Sequence, residues 1–284
     1  MDPRLEQLQR LLELERLEDN LFRGESRDIG SPQVYGGQVL GQALKAAYLT
    51  VEPGRTAHSL HAYFLRRGDF NAPIVYFVDR SRDGHSFTSR RVTAIQHGEQ
   101  IFHLSASFQV PQPGFEHQAV APEVPAPELL SDGDVIDGAL SARLTPRLRQ
   151  YLLHERPFEF RLVPPRAPAL AERMFWLRAI DRLADDDTLH RCLLAYLCDF
   201  QLLSTSVLPH EEALAGQRLV LASIDHAMWF HHPLRVDDWL LYVTDSPSAS
   251  GSRGFARGSF YDRGGRLVAS TAQEGLVRVL PPKD

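Results

Sequence analysis

Cysteine is nearly absent: the chain has 284 residues and two of them are cysteines, Cys192 and Cys198. They lie six positions apart in one apolar run, which points them to different faces of a helix and excludes a disulfide between them. Free thiols fit a reducing compartment, so the expected location is cytoplasmic. Positive charge is not in excess either. With 31 Lys and Arg against 36 Asp and Glu, the net charge is −5, and there is no electrostatic case for a nucleic-acid partner. No apolar run reaches the length that crosses a membrane. The opening Met1-Asp2-Pro3-Arg4-Leu5-Glu6 lacks the basic-then-apolar form of a secretory signal, and the closing residues 281–284 are not a Ser-Lys-Leu address. A Gly-x-Ser-x-Gly elbow is missing, so that kind of serine nucleophile is not expected. Among twelve histidines the closest pairs are His58/His61 and His231/His232. No third ligand stands at metal spacing, so neither a metal nor a cofactor is expected.

What is present is an ordinary globular composition, 43% hydrophobic and 24% charged. Residues 2–18 carry leucines at helical spacing behind Asp2 and Pro3, and read as an amphipathic helix lying across a surface as an N-terminal arm. A short strand over 20–26 follows, then a loop and a helix over 38–51 rich in small residues. Four strands are expected over 57–66, 73–80, 86–97 and 100–110, with His97-Gly98-Glu99 as a tight turn. Between Pro111 and Pro168 lie ten of the nineteen prolines, which excludes regular helix or central strand over most of that stretch. It reads as a crossing linker with one helical piece near 142–153. Beyond it the order repeats: a strand over 172–181, a long apolar helix over 188–207, and strands over 218–230, 239–245, 253–261 and 266–279.

The repeat extends to local sequence. Ser59-Leu60-His61-Ala62-Tyr63-Phe64 echoes Ser223-Ile224-Asp225-His226-Ala227-Met228-Trp229-Phe230, and Ser105-Ala106-Ser107-Phe108-Gln109 echoes Ala269-Ser270-Thr271-Ala272-Gln273. A unit this long is a duplicated domain. A helix apolar on nearly all sides must be enclosed, so each unit is expected to be an antiparallel sheet wrapping one long helix, with the two sheets joined edge to edge. The expected class is α+β, a double hot-dog. Residues 1–110 form the arm and first unit, 111–168 the linker, and 169–284 the second unit.

One carboxylate, Asp199, falls inside the apolar run of the second unit, where burial is costly and raises its pKa. Strand alternation turns Ser223, with Leu219 and Leu221, toward the helix, and Gln273 likewise, with Leu267 and Ala269. A carboxylate, a hydroxyl and an amide converging from three elements can hold a water whose proton Asp199 takes as general base. A satisfied buried network without chemistry has the same pattern. The first unit's helix offers Gln42 and Lys45 in place of the aspartate, so one active site per chain is expected. Cys198 has no histidine placed as its base and reads as a core thiol. Tyr35-Gly36-Gly37-Gln38 opens a helix whose free N–H groups can bind a carbonyl or phosphate oxygen, or simply form a tight turn. Arg82-Asp83-Gly84-His85-Ser86-Phe87 with Arg90 and Arg91 is a basic segment suited to phosphates, or a solvated hairpin.

Several segments together carry a likeness. Tyr35-Gly36-Gly37-Gln38-Val39-Leu40-Gly41-Gln42-Ala43-Leu44, His58-Ser59-Leu60-His61-Ala62-Tyr63-Phe64-Leu65, the Arg82–Val92 segment, Asp199-Phe200, the Ser223–His231 segment and Ala269-Ser270-Thr271-Ala272-Gln273-Glu274-Gly275 resemble the acyl-CoA thioesterase II family over residues 21–277. The resemblance implies hydrolysis of fatty acyl-CoA to free fatty acid and CoA, without a covalent acyl-enzyme. It implies Asp199, Ser223 and Gln273 as catalytic residues. The substrate-binding residues it implies are Gly37, Gln38, His61, Arg82 and Arg90. It further implies an acyl-CoA substrate and a homodimer or homotetramer, while charge and hydropathy leave no membrane and no nucleic acid as expected partners. The hydroxyl position, often Thr in relatives, is Ser223 here, and His85 stands where relatives commonly carry Arg. Two other readings remain. One is a non-catalytic acyl-CoA-binding protein. The other is a hot-dog acyl-CoA hydratase or dehydratase, for which His226 and Asp225 are the only local pair, facing opposite ways as strand neighbours.

Overall fold

The computed structural model describes residues 1–131, 144–165, 171–214 and 216–280. Helix α1 (Pro3–Leu12) starts on Asp2, whose side chain accepts the Arg4 N–H at 2.9 Å, with Pro3 in the first turn. It ends at Leu12 rather than running to residue 18. The chain then extends as β1 (Glu15–Glu18), which pairs with β2 (Leu21–Gly24). The helix is not a surface arm: Leu5, Leu8, Leu11 and Leu12 are buried in the main core. Leu12 packs against Gly41 of α2 (Gly36–Tyr48), where a Cβ would lie 3.0 Å from the leucine.

The first unit continues with β3 (Thr56–Phe64), β4 (Ile74–Asp83), β5 (Phe87–Gln96) and β6 (Glu99–Gln109). His97 and Gly98 both take positive φ, the two-residue turn that joins twisted antiparallel strands. Residues 111–131 then run across the second unit: Trp176 Nε1 donates to the Pro125 carbonyl at 3.0 Å, and Ala121, Val124 and Leu130 cover an outer cluster of Met174, Trp176, Trp239 and Leu241. A short helix α3 (Pro146–Gln150) and one wide turn (Tyr151–Glu155) follow. The strand β7 (Phe158–Leu162) pairs with β8 (Glu172–Ala179), so the last part of the stretch expected to be linker belongs to the second sheet. Its alternating Phe158 and Phe160 are buried, a strand signal that the flanking prolines hide. Residue 142, the expected start of the helical piece, lies outside the described residues.

The second unit holds α4 (Asp187–Leu197), β9 (Arg218–Ser223), β10 (Asp225–Phe230), β11 (Leu240–Ser250), β12 (Arg253–Asp262) and β13 (Leu267–Leu280). The expected helix over 188–207 is in fact broken. Helix α4 stops at Leu197, and Gln201 takes a φ of 65°, the left-handed conformation that ends a helical path. A tighter 3-10 helix follows (Leu203–His210). Gln201 is not glycine, so no sequence signal marks this turn. Its side chain is instead held by Arg173, 2.6 Å from Oε1, and by Ser204 at 2.7 Å. The expected strand over 218–230 is likewise bent at Ile224 into β9 and β10.

All thirteen strands of the described residues join one antiparallel sheet. Its order is β1-β2-β4-β5-β6-β3-β10-β13-β12-β11-β8-β7, with β9 attached to β13. The halves meet edge to edge through β3 and β10, Tyr63 opposite Asp225 and Ser59 opposite Trp229. Each half wraps its own helix, as a double hot-dog does. The small residues of α2 serve a second purpose. They let α2 approach α4 closely: a Cβ at Gly41 would sit 3.0 Å from the Cys192 carbonyl, and one at Gly37 only 2.1 Å from the Tyr196 carbonyl.

Candidate active site

Helices α2 and α4 lie side by side and antiparallel, Gly41 against Cys192 and Gly37 against Tyr196, so Asp199, just beyond α4, comes against Gly36 at the start of α2. The Gly37 backbone N–H lies toward the Asp199 carboxylate and lowers its pKa. A helix N-terminus carries partial positive charge and free N–H groups, so this contact favours the ionised form. Gly36 is pressed as close: a Cβ there would fall 2.7 Å from Asp199 Oδ2 and 3.2 Å from the Phe64 ring. The Gly36-Gly37 pair is the sequence signal for this approach. Its partner is the protein's own carboxylate, not the carbonyl or phosphate oxygen that the helix opening leads one to expect.

The other two groups arrive on strands. Gln273, fully buried on β13, donates Nε2 to Asp199 Oδ1 at 2.7 Å and to Ser223 Oγ at 3.0 Å. Ser223 closes β9 opposite Gly275, and its hydroxyl lies near enough to the aspartate to favour the ionised carboxylate. Both amide protons of Gln273 are thereby used, while its Oε1 has no partner among the described residues. Since Ser223 Oγ accepts from Gln273, its single proton is free to be donated. Burial pushes the Asp199 pKa up, and the Gln273 bond, the Gly37 N–H and the Ser223 hydroxyl pull against it, leaving the carboxyl above its usual range.

Two cavities meet at this carboxylate. The larger, about 600 Å³, is lined by Asp199, Ser223, Gly36 and Phe64, and includes Arg66 and Arg67. Arg66 is engaged with Glu99 at 2.9 Å and the Gln100 carbonyl at 2.7 Å. Arg67 is exposed. The smaller cavity, about 220 Å³, is lined mostly by apolar side chains and also contacts Asp199, Tyr35 and Gln201.

The remaining expected substrate contacts fall elsewhere. Gln38 is buried and its amide is consumed, accepting the Arg27 N–H at 3.2 Å and donating to the Glu25 carbonyl at 3.1 Å. His61 stands exposed on β3 with its ring edge-on to Trp229, and lines neither cavity. Arg82 is exposed on the β4–β5 hairpin, also away from both. Arg90 is only 2% exposed. Its guanidinium is committed to Thr50 Oγ1 at 2.9 Å, the Thr50 carbonyl at 3.0 Å and Asp83 at 2.6 Å, so it holds the hairpin to the end of α2. Charge and the resemblance marked these arginines as ligands; burial, which the sequence does not display, commits Arg90 to internal bonds.

Two features escape sequence reasoning. Cys198 does have a histidine neighbour: His226 Nε2 lies 3.0 Å from its sulfur. Both are buried. Burial drives the thiol pKa well up and pulls the imidazole down to about 3, so the pair is neutral. It fixes the end of α4 rather than supplying a nucleophile. Asp225, His226's strand neighbour, accepts the Glu274 N–H at 2.7 Å, so the two form no acid–base dyad. In the first unit, Gln42 donates to the Leu11 carbonyl at 2.6 Å and accepts from the Tyr76 hydroxyl at 2.7 Å, a buried network that ties α1 to α2.

The geometry can be set beside known proteins. Over 279 residues the chain is 42% identical to acyl-CoA thioesterase 2 of Haemophilus influenzae, covering 96% of this chain and 98% of the relative. The chain belongs to the acyl-CoA thioesterase family. Two family models agree, the acyl-CoA thioesterase N-terminal domain over residues 23–109 and acyl-CoA thioesterase over 150–276. Human acyl-coenzyme A thioesterase 8 is 40% identical, with 95% of this chain and 88% of that one covered. Among solved structures, an acyl-CoA thioesterase II from Mycobacterium marinum superposes with a TM-score of 0.81 at 41% identity, covering 96% of this chain and 98% of that one. A hot-dog protein from Alicyclobacillus acidocaldarius shares the fold, with a TM-score of 0.77 at 20% identity over 97% of this chain and 99% of that one. As a family member the chain is a thioester hydrolase of double hot-dog architecture.

Proposed function

We propose that the chain hydrolyses acyl-CoA thioesters with a water held by Asp199, Ser223 and Gln273. The observation that carries this reading is the single amide of Gln273 bonded to both the carboxylate and the hydroxyl. That arrangement fixes two acceptor positions around one open point at the cavity wall. Asp199, with its raised pKa, takes a proton as the water oxygen attacks the thioester carbonyl carbon. The freed Ser223 proton faces the developing oxyanion. As the intermediate collapses the C–S bond breaks, and the proton held by Asp199 passes to the CoA sulfur. The products are a carboxylic acid and free CoA. Water attacks the thioester directly, so no covalent acyl-enzyme forms.

The CoA portion extends toward Arg67, a cation on the wall of the same cavity as Asp199 and Ser223. The natural substrates are fatty acyl-CoAs. The two free, buried thiols support a cytoplasmic setting. Exposed Tyr63, Phe77 and Phe87 on the first unit's strands support self-association as a homodimer or homotetramer.

The test is release of CoA thiol from acyl-CoA by the wild type and by Asp199→Asn. The expected loss is about 10²–10⁴-fold in kcat, the usual contribution of a positioned base. Equal rates in the two proteins would remove Asp199 from the mechanism.

A further inference from the structure

The two units repeat each other, but the segment between them does not, and part of it forms a wall of the smaller cavity. Leu144, Leu148, Tyr151 and Leu152 come from this segment and face Leu197 and Phe200 at the end of α4. They are held as a unit. Ile29, Tyr151 and Leu152 form a separate buried cluster, against which Leu144, Leu148, Tyr35 and Phe200 pack. The Tyr151 hydroxyl meets the Tyr196 hydroxyl at 3.1 Å, and the Tyr35 hydroxyl donates to the Tyr196 carbonyl at 3.0 Å. These bonds satisfy the polar tips of three rings, leaving their apolar faces to the cavity. The charged groups on its wall are Asp199 and Arg156, and the Arg156 guanidinium lies over the Phe160 ring, 5.0 Å from its centroid.

We infer that this segment is the acyl-chain ruler of the enzyme: the chain enters the 220 Å³ cavity past Asp199, and Leu148, Tyr151 and Leu152 set how much of it fits. The inference rests on the thioesterase reading above. A thioester whose carbonyl sits at Asp199 and whose CoA lies toward Arg67 leaves its acyl chain the other cavity that touches the same carboxylate. That cavity is apolar, so each methylene taken up is desolvated at a gain of up to about fourfold in binding. The volume holds roughly seven groups of water size at about 30 Å³ each, which is a medium-length chain. Chains beyond that must displace the wall. Because the wall is built from the inter-unit segment, it can vary without disturbing either sheet.

The experiment compares wild type, Leu148→Trp and Leu152→Ala on straight-chain acyl-CoAs from four to sixteen carbons by thiol release. The same proteins are titrated calorimetrically with the matching alkyl-CoA thioethers, which cannot be hydrolysed. Wild-type kcat/KM and affinity should rise with chain length to a maximum near eight carbons. Leu148→Trp should lower both at eight carbons by tenfold or more while changing the four-carbon values by less than twofold. Leu152→Ala should move the maximum to longer chains. A Leu148→Trp loss that is equal at four and eight carbons, or absent at both, overturns the ruler. Absence of turnover in the wild type for every length would sink the thioesterase reading alone. The thioether titrations would still decide whether this wall selects chain length.

Discussion

A Cβ placed on Gly36 would lie 2.7 Å from Asp199 Oδ2, so the first residue of one unit's central helix and the carboxylate beyond the other unit's helix occupy adjoining space. The site therefore belongs to both units, although its carboxylate, hydroxyl and amide all come from the second. A closed hot-dog unit cut away from its partner would lack the Gly37 N–H that steadies Asp199.

Gly36→Ala tests this contact. The atom it would strike is the side-chain tip of Asp199 and not backbone, so the fold should survive while the carboxylate is displaced. Thiol release should fall about 10²-fold, as for a misplaced catalytic group. Gly37→Ala should behave differently, because its Cβ would meet the Tyr196 backbone carbonyl at 2.1 Å. Thermal denaturation should show a large loss of stability for Gly37→Ala and little for Gly36→Ala; the reverse order would refute the packing described.

The pH dependence follows from the raised pKa of Asp199. Its ionised form is the base, so kcat/KM should fall on acidification with a midpoint above the ordinary carboxylate range. Stability runs the other way. A carboxyl whose folded pKa is raised contributes stability fully below its unfolded pKa, and loses it as pH rises through the folded value. Asp199→Asn is neutral at every pH. The difference in stability between Asn and wild type should therefore grow in favour of the variant as pH rises through the folded pKa of Asp199. A stability gap independent of pH would contradict the shift.

Ser223→Ala removes the hydroxyl that accepts from Gln273 and leaves the Gln273 amide one acceptor short. Activity should drop about 10²-fold, the usual effect of deleting one donor at a developing oxyanion. Ser223→Thr keeps the hydroxyl and should retain most of the rate. An alanine variant at full rate would take Ser223 out of the reaction.

Arg67→Gln and Arg90→Gln separate a ligand cation from a structural one. The first should raise KM for acyl-CoA while leaving turnover of acyl-pantetheine, which lacks the nucleotide phosphates, unchanged. The second should leave KM alone but lower stability by about 1–3 kcal/mol, because the Thr50 carbonyl and hydroxyl lose their buried donor. Interchanged outcomes would restore Arg90 as a phosphate contact.

Much of this protein was legible in one dimension. Strand alternation and turn chemistry located β3 to β6 to within a few residues, and the echo of Ser105–Gln109 in Ala269–Gln273 marked the duplication. Alternation also turned Ser223 and Gln273 toward the helix, because a pleated strand sends every second side chain to the same face. These are local properties, determined by neighbours in sequence. Tertiary contacts decided the rest. Gln201 ends the helical path through bonds to Arg173 and Ser204, so Asp199 sits beyond α4 and not on its stripe. Arg90 is structural because the end of α2 folds over it. Cys198 meets His226, and Leu148 walls a cavity with Phe200, across gaps in sequence that no periodicity spans. What the sequence by itself determined was which side chains face inward; which of them touch depended on how two helices and one bent sheet close around each other.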